Sequence, residues 1–356
     1  MKIYPEDLPN MGYTFKDHSL KGRSGHLSHA LVEYKPGCVL AFYSDCSGTR
    51  NRWSPGHNGF GWLEYRRSTD YGKSWGEPQL LDYSLHCLID EPFTLSCEKA
   101  VSPRENVVVA LCLRNENPNG WEPYLAPIAL ISMDGGGTWG EPIEITQEKG
   151  RIYDAFAKDG CIYLLMLANN DFLASKPEHR YRLYKSADEG RSYTPVSELP
   201  YMPNHAYGSM VLRPDGALVV YSYNADDEYN LDYFVSYDMG VTWGERGKSY
   251  CAKRIRNPQV AYTGAGYILH GRSGCVDTSL PMDFVLYHSV DGINWDAGTF
   301  LCSVPDATAY YSNNLVLALP DGSRRVIIQS SVPNGTGRGR TNIAHWYMEI
   351  PCDETT

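Results

Sequence analysis

The sequence predicts an all-β chain folded as a six-bladed β-propeller, and two observations carry that prediction. The first is a short motif repeated five times. Ser68-Thr69-Asp70-Tyr71-Gly72-Lys73-Ser74-Trp75 opens the series; the pattern returns at 132–139, 186–193 and 236–243, and one residue shorter at 289–295. The motif aspartates Asp70, Asp134, Asp188, Asp238 and Asp291 are spaced by 50 to 64 residues, the period of an array of similar supersecondary units. The second observation is what lies between the motifs: short runs of β-branched and aromatic residues separated by turn residues, with no long helical pattern.

Each unit resolves into four strands. The run before a motif, such as 128–131 or 233–235, and the stretch after its Trp, often opening Gly-Glu, form strand, tight turn and strand. In the turn, Ser and Asp serve backbone N–H groups, and Gly supplies a positive φ. The Trp is expected to pack back across the base of its own hairpin. Two further strands lie upstream, as at 209–212 and 217–221 around the turn Arg213-Pro214-Asp215-Gly216; the same punctuation stands at Pro36-Gly37 and Pro320-Asp321-Gly322. Four strands in about fifty residues is the arithmetic of a propeller blade. A sixth unit, 310–348, has no motif, and the chain before His26 is expected to supply the strand that completes it. That gives six blades rather than seven, in one domain over 1–356.

Composition narrows the partners. A formal charge of −10 with no Lys/Arg run disfavours nucleic acid and anionic membranes. No apolar stretch approaches membrane-spanning length. Residues 1–7 lack the apolar core of a secretory signal, so a cytoplasmic location is expected, or a secreted one if a signal has been removed. Ten scattered cysteines without a CxxC pair are expected to be buried thiols. Neither a metal-ligand spacing such as HExxH nor a nucleotide-binding glycine loop is present, so no cofactor is called for.

Ser-x-Asp-x-Gly-x-Thr-Trp is the Asp-box, and on these motifs the chain resembles the sialidase (neuraminidase) superfamily over essentially its whole length. The resemblance implies a carbohydrate substrate and a site on the innermost strands. There, sialidases hold a substrate carboxylate with three arginines and use a Tyr nucleophile paired with a Glu and an Asp acid/base. A guanidinium forks onto a carboxylate, and a neutral nucleophile avoids repulsion by an anionic sugar.

The matches are uneven. Where the family opens blade one with Arg-Ile-Pro, this chain has His26 and His29 before Leu31-Val32. The next segment offers Asp45 and Arg52, and the loop expected to present the acid/base offers His57. Tyr207 falls where the family has its Glu, with His205 two residues earlier and expected on the same face. Blade five keeps Arg272. In blade six Tyr311 resembles the nucleophile but stands two residues early, with Asn313 in its register position. The resemblance and strand alternation together nominate Tyr311, Asp45, His57, His205 and Tyr207 as catalytic. They nominate His26, His29, Arg52, Glu98, Asp154, Gln259, Arg272 and Asn313 as substrate-binding, with Lys99, Arg151 and Arg256 also facing the funnel.

Three functions fit this set. One is a glycoside hydrolase acting on a terminal acidic sugar. Another is a lyase that abstracts a proton beside a uronate carboxylate. The last is a propeller that binds glycans without chemistry. The loop tryptophans Trp53 and Trp121 are candidates for stacking on a sugar face.

Overall fold

The computed structural model describes residues 13–47, 60–91, 93–116, 125–169, 179–201, 204–274, 277, 279–280, 282–303, 309–334 and 340–351. Six antiparallel sheets follow one another along the chain. Their innermost strands are Leu31–Lys35, Phe93–Val101, Gly150–Lys158, His205–Leu212, Arg256–Tyr262 and Ser312–Ala318. Each touches the next, and the sixth touches the first, so the sheets close into a six-bladed ring. The outer strand of the sixth sheet is Tyr13–Lys16, from the start of the chain, paired with Thr341–Ile350. The one α-helix among the described residues, Asp82–Ile89, follows the outer strand of blade 1 and packs on the inner strand of blade 2.

Core packing follows the same ring. Six clusters of buried apolar side chains occupy the six spaces between adjacent blades. Leu40, Phe42 and Leu63 of blade 1 meet Leu95, Val108 and Leu130 of blade 2, for example. Alternating strands put one apolar set on each face of a blade, and a blade therefore buries both faces only between two neighbours. The eight described cysteines are all unbonded.

The Asp-boxes form the turns between the third and fourth strands. In the fourth, Ser236 Oγ donates to Asp238 Oδ1 (2.7 Å) and accepts from Gly240 N (2.7 Å). Asp238 also accepts from Thr242 N (2.9 Å) and Thr242 Oγ1 (2.6 Å). These donors hold the Asp238 carboxyl down to about 2.

The tryptophans of the boxes lie against the glycines of their own turns, as at Gly72, Gly136 and Gly240, and also reach the preceding blade. Trp75 Nε1 donates to Tyr347 Oη (3.1 Å) in blade 6, Trp243 Nε1 to Ser197 Oγ (2.9 Å) in blade 3, and Trp295 Nε1 to Ser249 Oγ (2.7 Å) in blade 4. The box is thus a blade-to-blade clasp.

Its glycine serves the clasp twice. Gly240 has φ +87°, and a Cβ there would fall 2.1 Å from Leu183 Cδ2, which is fully buried in blade 3. Gly216, also at φ +87°, has nothing within 4 Å of that position. Gly240→Ala is therefore expected to cost about 2–4 kcal/mol, from backbone strain plus overpacking. Gly216→Ala carries the strain alone, about 1 kcal/mol. Denaturant unfolding of the pair separates the two contributions.

Candidate functional site at the propeller axis

Innermost strands break their ladders once, near the same end. The pairing skips Glu98 in blade 2, Tyr153 in blade 3, Tyr207 in blade 4, and Asn257 with Pro258 in blade 5. In blade 6, Tyr310 N donates to Ser331 O (3.0 Å) while Ser331 N donates to Tyr311 O (3.0 Å), just before the regular ladder begins at Ser312. In blade 1 the strand is split into Arg23–Ser24 and Leu31–Lys35, both paired with Cys38–Ser47. Ser28, Tyr207, Asn257 and Tyr310 take φ of 69°, 50°, 54° and 71° at these breaks. A bulge leaves one residue out of the ladder and re-aims its side chain. Here six bulges aim at one place: Ser28, Glu98, Tyr153, Tyr207, Asn257 and Tyr311 line a single narrow cavity on the axis.

At its centre the hydroxyls of Tyr207 and Tyr311 lie 2.9 Å apart. Three guanidinium groups surround them. Arg151 stands 5.0 Å from the Tyr311 ring centre and 5.4 Å from that of Tyr207. Arg256 is 5.1 Å from the Tyr207 ring and donates to Tyr207 Oη (3.3 Å), and Arg272 is 5.8 Å from the Tyr311 ring. Arg151 is paired with Glu98 (2.9 Å). Arg272, 5% exposed, has no ion-pair carboxylate among the described residues.

Burial pushes both phenols up, with opposite net results. For Tyr311 the fields of Arg151, Arg272 and Arg256 outweigh burial and hold its pKa below the usual phenol value. Tyr207 stays raised by burial and by the charge that Tyr311 carries when ionised. Tyr207 therefore holds its proton more firmly than Tyr311, and its hydroxyl accepts from Arg256. Two equal side chains pushed apart in this way mark separate chemical roles.

Below the tyrosines a polar belt crosses the axis. Lys99 Nζ meets Asp154 Oδ1 (2.9 Å) and Gln259 Oε1 (2.6 Å). Asp154 Oδ2 accepts from Ser209 Oγ (2.9 Å) and Met210 N (2.6 Å), and Asn313 Nδ2 donates to the Glu98 carbonyl (2.7 Å). Beyond the belt a second cavity of about 350 Å³ opens toward the other end of the axis, lined in part by Lys99, Asp154 and Asn313. Asp154 therefore holds blades 2, 3 and 4 together on the side away from the tyrosine pair. Gln259 and Asn313 take part in both the belt and the upper cavity.

Among the other nominated residues, His26 and His29 stay beside the axial cavity, whereas His205 and Asp45 fall elsewhere. His205 does not share a face with Tyr207, because the bulge at Tyr207 reverses the alternation. It binds Asp232 (2.7 Å), leans on Tyr201 (5.2 Å), and lines a separate cleft on blade 4. Asp45 is held by Arg23 Nε and Lys16 Nζ (3.3 Å). Burial opposes its charge, yet Arg23, His18 and Lys16 keep its carboxyl below the usual range, which leaves it ionised and unsuited to donate a proton. His26 packs edge-on against Tyr311 (4.6 Å), and its carbonyl contacts His29 Nε2 (2.9 Å). Arg52, His57, Trp53 and Trp121 lie outside the described residues. Arg151 and Arg256 face the funnel as expected, and Tyr153 and Asn257 are the site residues that strand alternation passes over.

Burial brings His29 and His18 down to about 4. Both are neutral in the fold at pH 7, while unfolded histidines take up a proton near pH 6.5. Their contribution to stability is complete above about pH 6.5 and is lost as pH falls toward about 4, at about 1.4 kcal/mol per pH unit for each. Denaturant midpoints at pH 7, 6 and 5 are expected to fall steadily, and less steeply in His29→Gln.

No known family model matches the chain. A curated relative, a sialidase from Paraclostridium sordellii, is 24% identical over 201 residues, covering 50% of this chain and 48% of the relative. The match thus spans about half the length of that protein. Among solved structures, a Hadza microbial sialidase superposes with a TM-score of 0.68 at 13% identity, covering 96% of this chain and 68% of that one. A protein of unknown function from Dyadobacter fermentans superposes with a TM-score of 0.65 at 14% identity, covering 96% and 100%. The fold is that of the sialidase propellers, and the sequence is similar to a sialidase.

Proposed function

We propose that this protein is a glycoside hydrolase that removes a terminal acidic, sialic-acid-like sugar from a glycan, with Tyr311 as the nucleophile. The observation that carries the reading is a phenol of lowered pKa on the axis, among three arginines, one of them buried with no carboxylate partner among the described residues. A buried cation in that state needs an anion. A sugar carboxylate supplies it, and guanidinium groups recognise it through two parallel bonds.

In this reading Arg272, with Arg256 and Arg151, anchors the carboxylate and eases ionisation of Tyr311. Tyr311 attacks the anomeric carbon as the bond to the leaving oxygen breaks, water gives that oxygen its proton, and a second water later releases the sugar and returns the phenol. Tyr207 replaces the carboxylate partner of the family pattern. A carboxylate beside Tyr311 would raise its pKa, whereas the neutral Tyr207 hydroxyl steadies the phenolate by donating to it.

The test is release from a fluorogenic α-sialoside beside a panel of other aryl glycosides. Turnover of the sialoside is the expected result, and silence across the panel would overturn the hydrolase reading. A second reading rests on the Tyr–Tyr pair itself. An ionised Tyr311 beside guanidinium groups could equally take the proton next to a uronate carboxylate. Products absorbing in the ultraviolet from a new double bond would select that lyase chemistry.

A further inference from the structure

Five polar atoms around the axial cavity are buried with no hydrogen-bond partner among the described residues: Tyr153 Oη, both amide atoms of Asn257, Glu98 Oε1 and Asn313 Oδ1. Tyr153, Asn257 and Asn313 are each at most 6% exposed. An unmet buried group costs about 1–3 kcal/mol, and native structures carry only a few such groups, so this convergence calls for an occupant. Asn257 also holds φ +54° within its bulge, a conformation asparagine tolerates better than other side chains and one that aims its amide at the axis.

The axial cavity as a whole has room for about 30 Å³, the share of one water molecule. Its occupant is therefore a single small group, and the lining says which. Glu98 Oε1 can only accept, since Oε2 is committed to Arg151 (2.9 Å), so the occupant must donate a proton. A carboxylate oxygen cannot. With its one proton given to Glu98, a hydroxyl still accepts on its two lone pairs, one from Tyr153 Oη and one from Asn257 Nδ2.

We infer that the axial cavity is a specificity subsite that takes one hydroxyl of the bound sugar, read by Asn257, Tyr153 and Glu98. The inference rests on the acidic-sugar reading above and adds a second recognition point to it. The arginines fix the anion, and the bulge residues of blades 2, 3 and 5 measure a hydroxyl at a set distance from it.

The test is calorimetric titration with the methyl α-glycoside of N-acetylneuraminic acid, the methyl glycoside of glucuronic acid, and the monodeoxy analogues of each. Wild type, Tyr153→Phe and Asn257→Gly are compared, with thermal unfolding to confirm that the variants are folded. One deoxy analogue is expected to bind wild type roughly 10–100-fold more weakly than its parent. That gap should shrink to within about threefold in either variant, with the other analogues unmoved. Equal binding of parent and every deoxy analogue would mean that the axial cavity holds a structural water only, and would overturn the inference while leaving the acidic-sugar reading intact. A gap that survives both substitutions would place the reading of that hydroxyl elsewhere and overturn it too. Failure of both parent glycosides to bind at about 10 mM would overturn the acidic-sugar reading and the inference together.

Discussion

Tyr311→Phe is expected to lower sialoside turnover by roughly 10³-fold or more while leaving substrate affinity within about threefold. The variant removes one oxygen and keeps the ring, which packs against His26 and fills the space between Arg151 and Arg272. Carboxylate anchoring then survives, and only the reacting group is lost. A drop confined to affinity would instead make Tyr311 a binding residue. Tyr207→Phe is the informative companion. It removes the donor 2.9 Å from the Tyr311 hydroxyl but no reacting atom, so its effect should be smaller and should appear as a shift in the pH profile.

Arg272→Ala is expected to weaken binding of an acidic sugar by roughly 30- to 1,000-fold, the loss of about 2–4 kcal/mol for one buried charge-assisted contact. It also acts on Tyr311. Arg272 is one of three cations that pull the Tyr311 pKa down against burial, so its removal lets that pKa rise. A rate that needs ionised Tyr311 climbs as pH rises through that pKa. The climbing limb should therefore move to higher pH in Arg272→Ala, and a neutral glycoside should show the shift without the loss of affinity. An unmoved limb would separate Arg272 from the chemistry.

How much of this was written in the sequence depended on how local the signal was. The boxes at Asp70, Asp134, Asp188, Asp238 and Asp291 are local turns, and their spacing announced the blades. The reach of their aromatics into the preceding blade is not legible locally, because the partner of Trp243, Ser197, belongs to another repeat and lies 46 residues away. The site was harder for a single physical reason. Strand alternation assigns faces by counting in twos, and each innermost strand has a bulge that resets the count. That reset separated His205 from Tyr207, and it set Tyr311 two residues ahead of its expected register. It also concealed Tyr153 and Asn257, which are themselves bulge residues. A proline after Asn257 and the unusual run Ala309-Tyr310-Tyr311 were the available hints. Asp45 looked like an acid because the sequence did not reveal that Arg23 and Lys16 would converge on it.

The account stands most directly on Tyr311 as the group that bonds to the sugar. Incubation with a fluorinated sialosyl fluoride, which slows release of a covalent intermediate more than its formation, followed by peptide mass mapping, tests this in one step. The expected result is one sugar adduct per chain on Tyr311, absent from Tyr311→Phe. An adduct on another side chain, or hydrolysis of the fluoride with Tyr311 unmodified throughout, would contradict it.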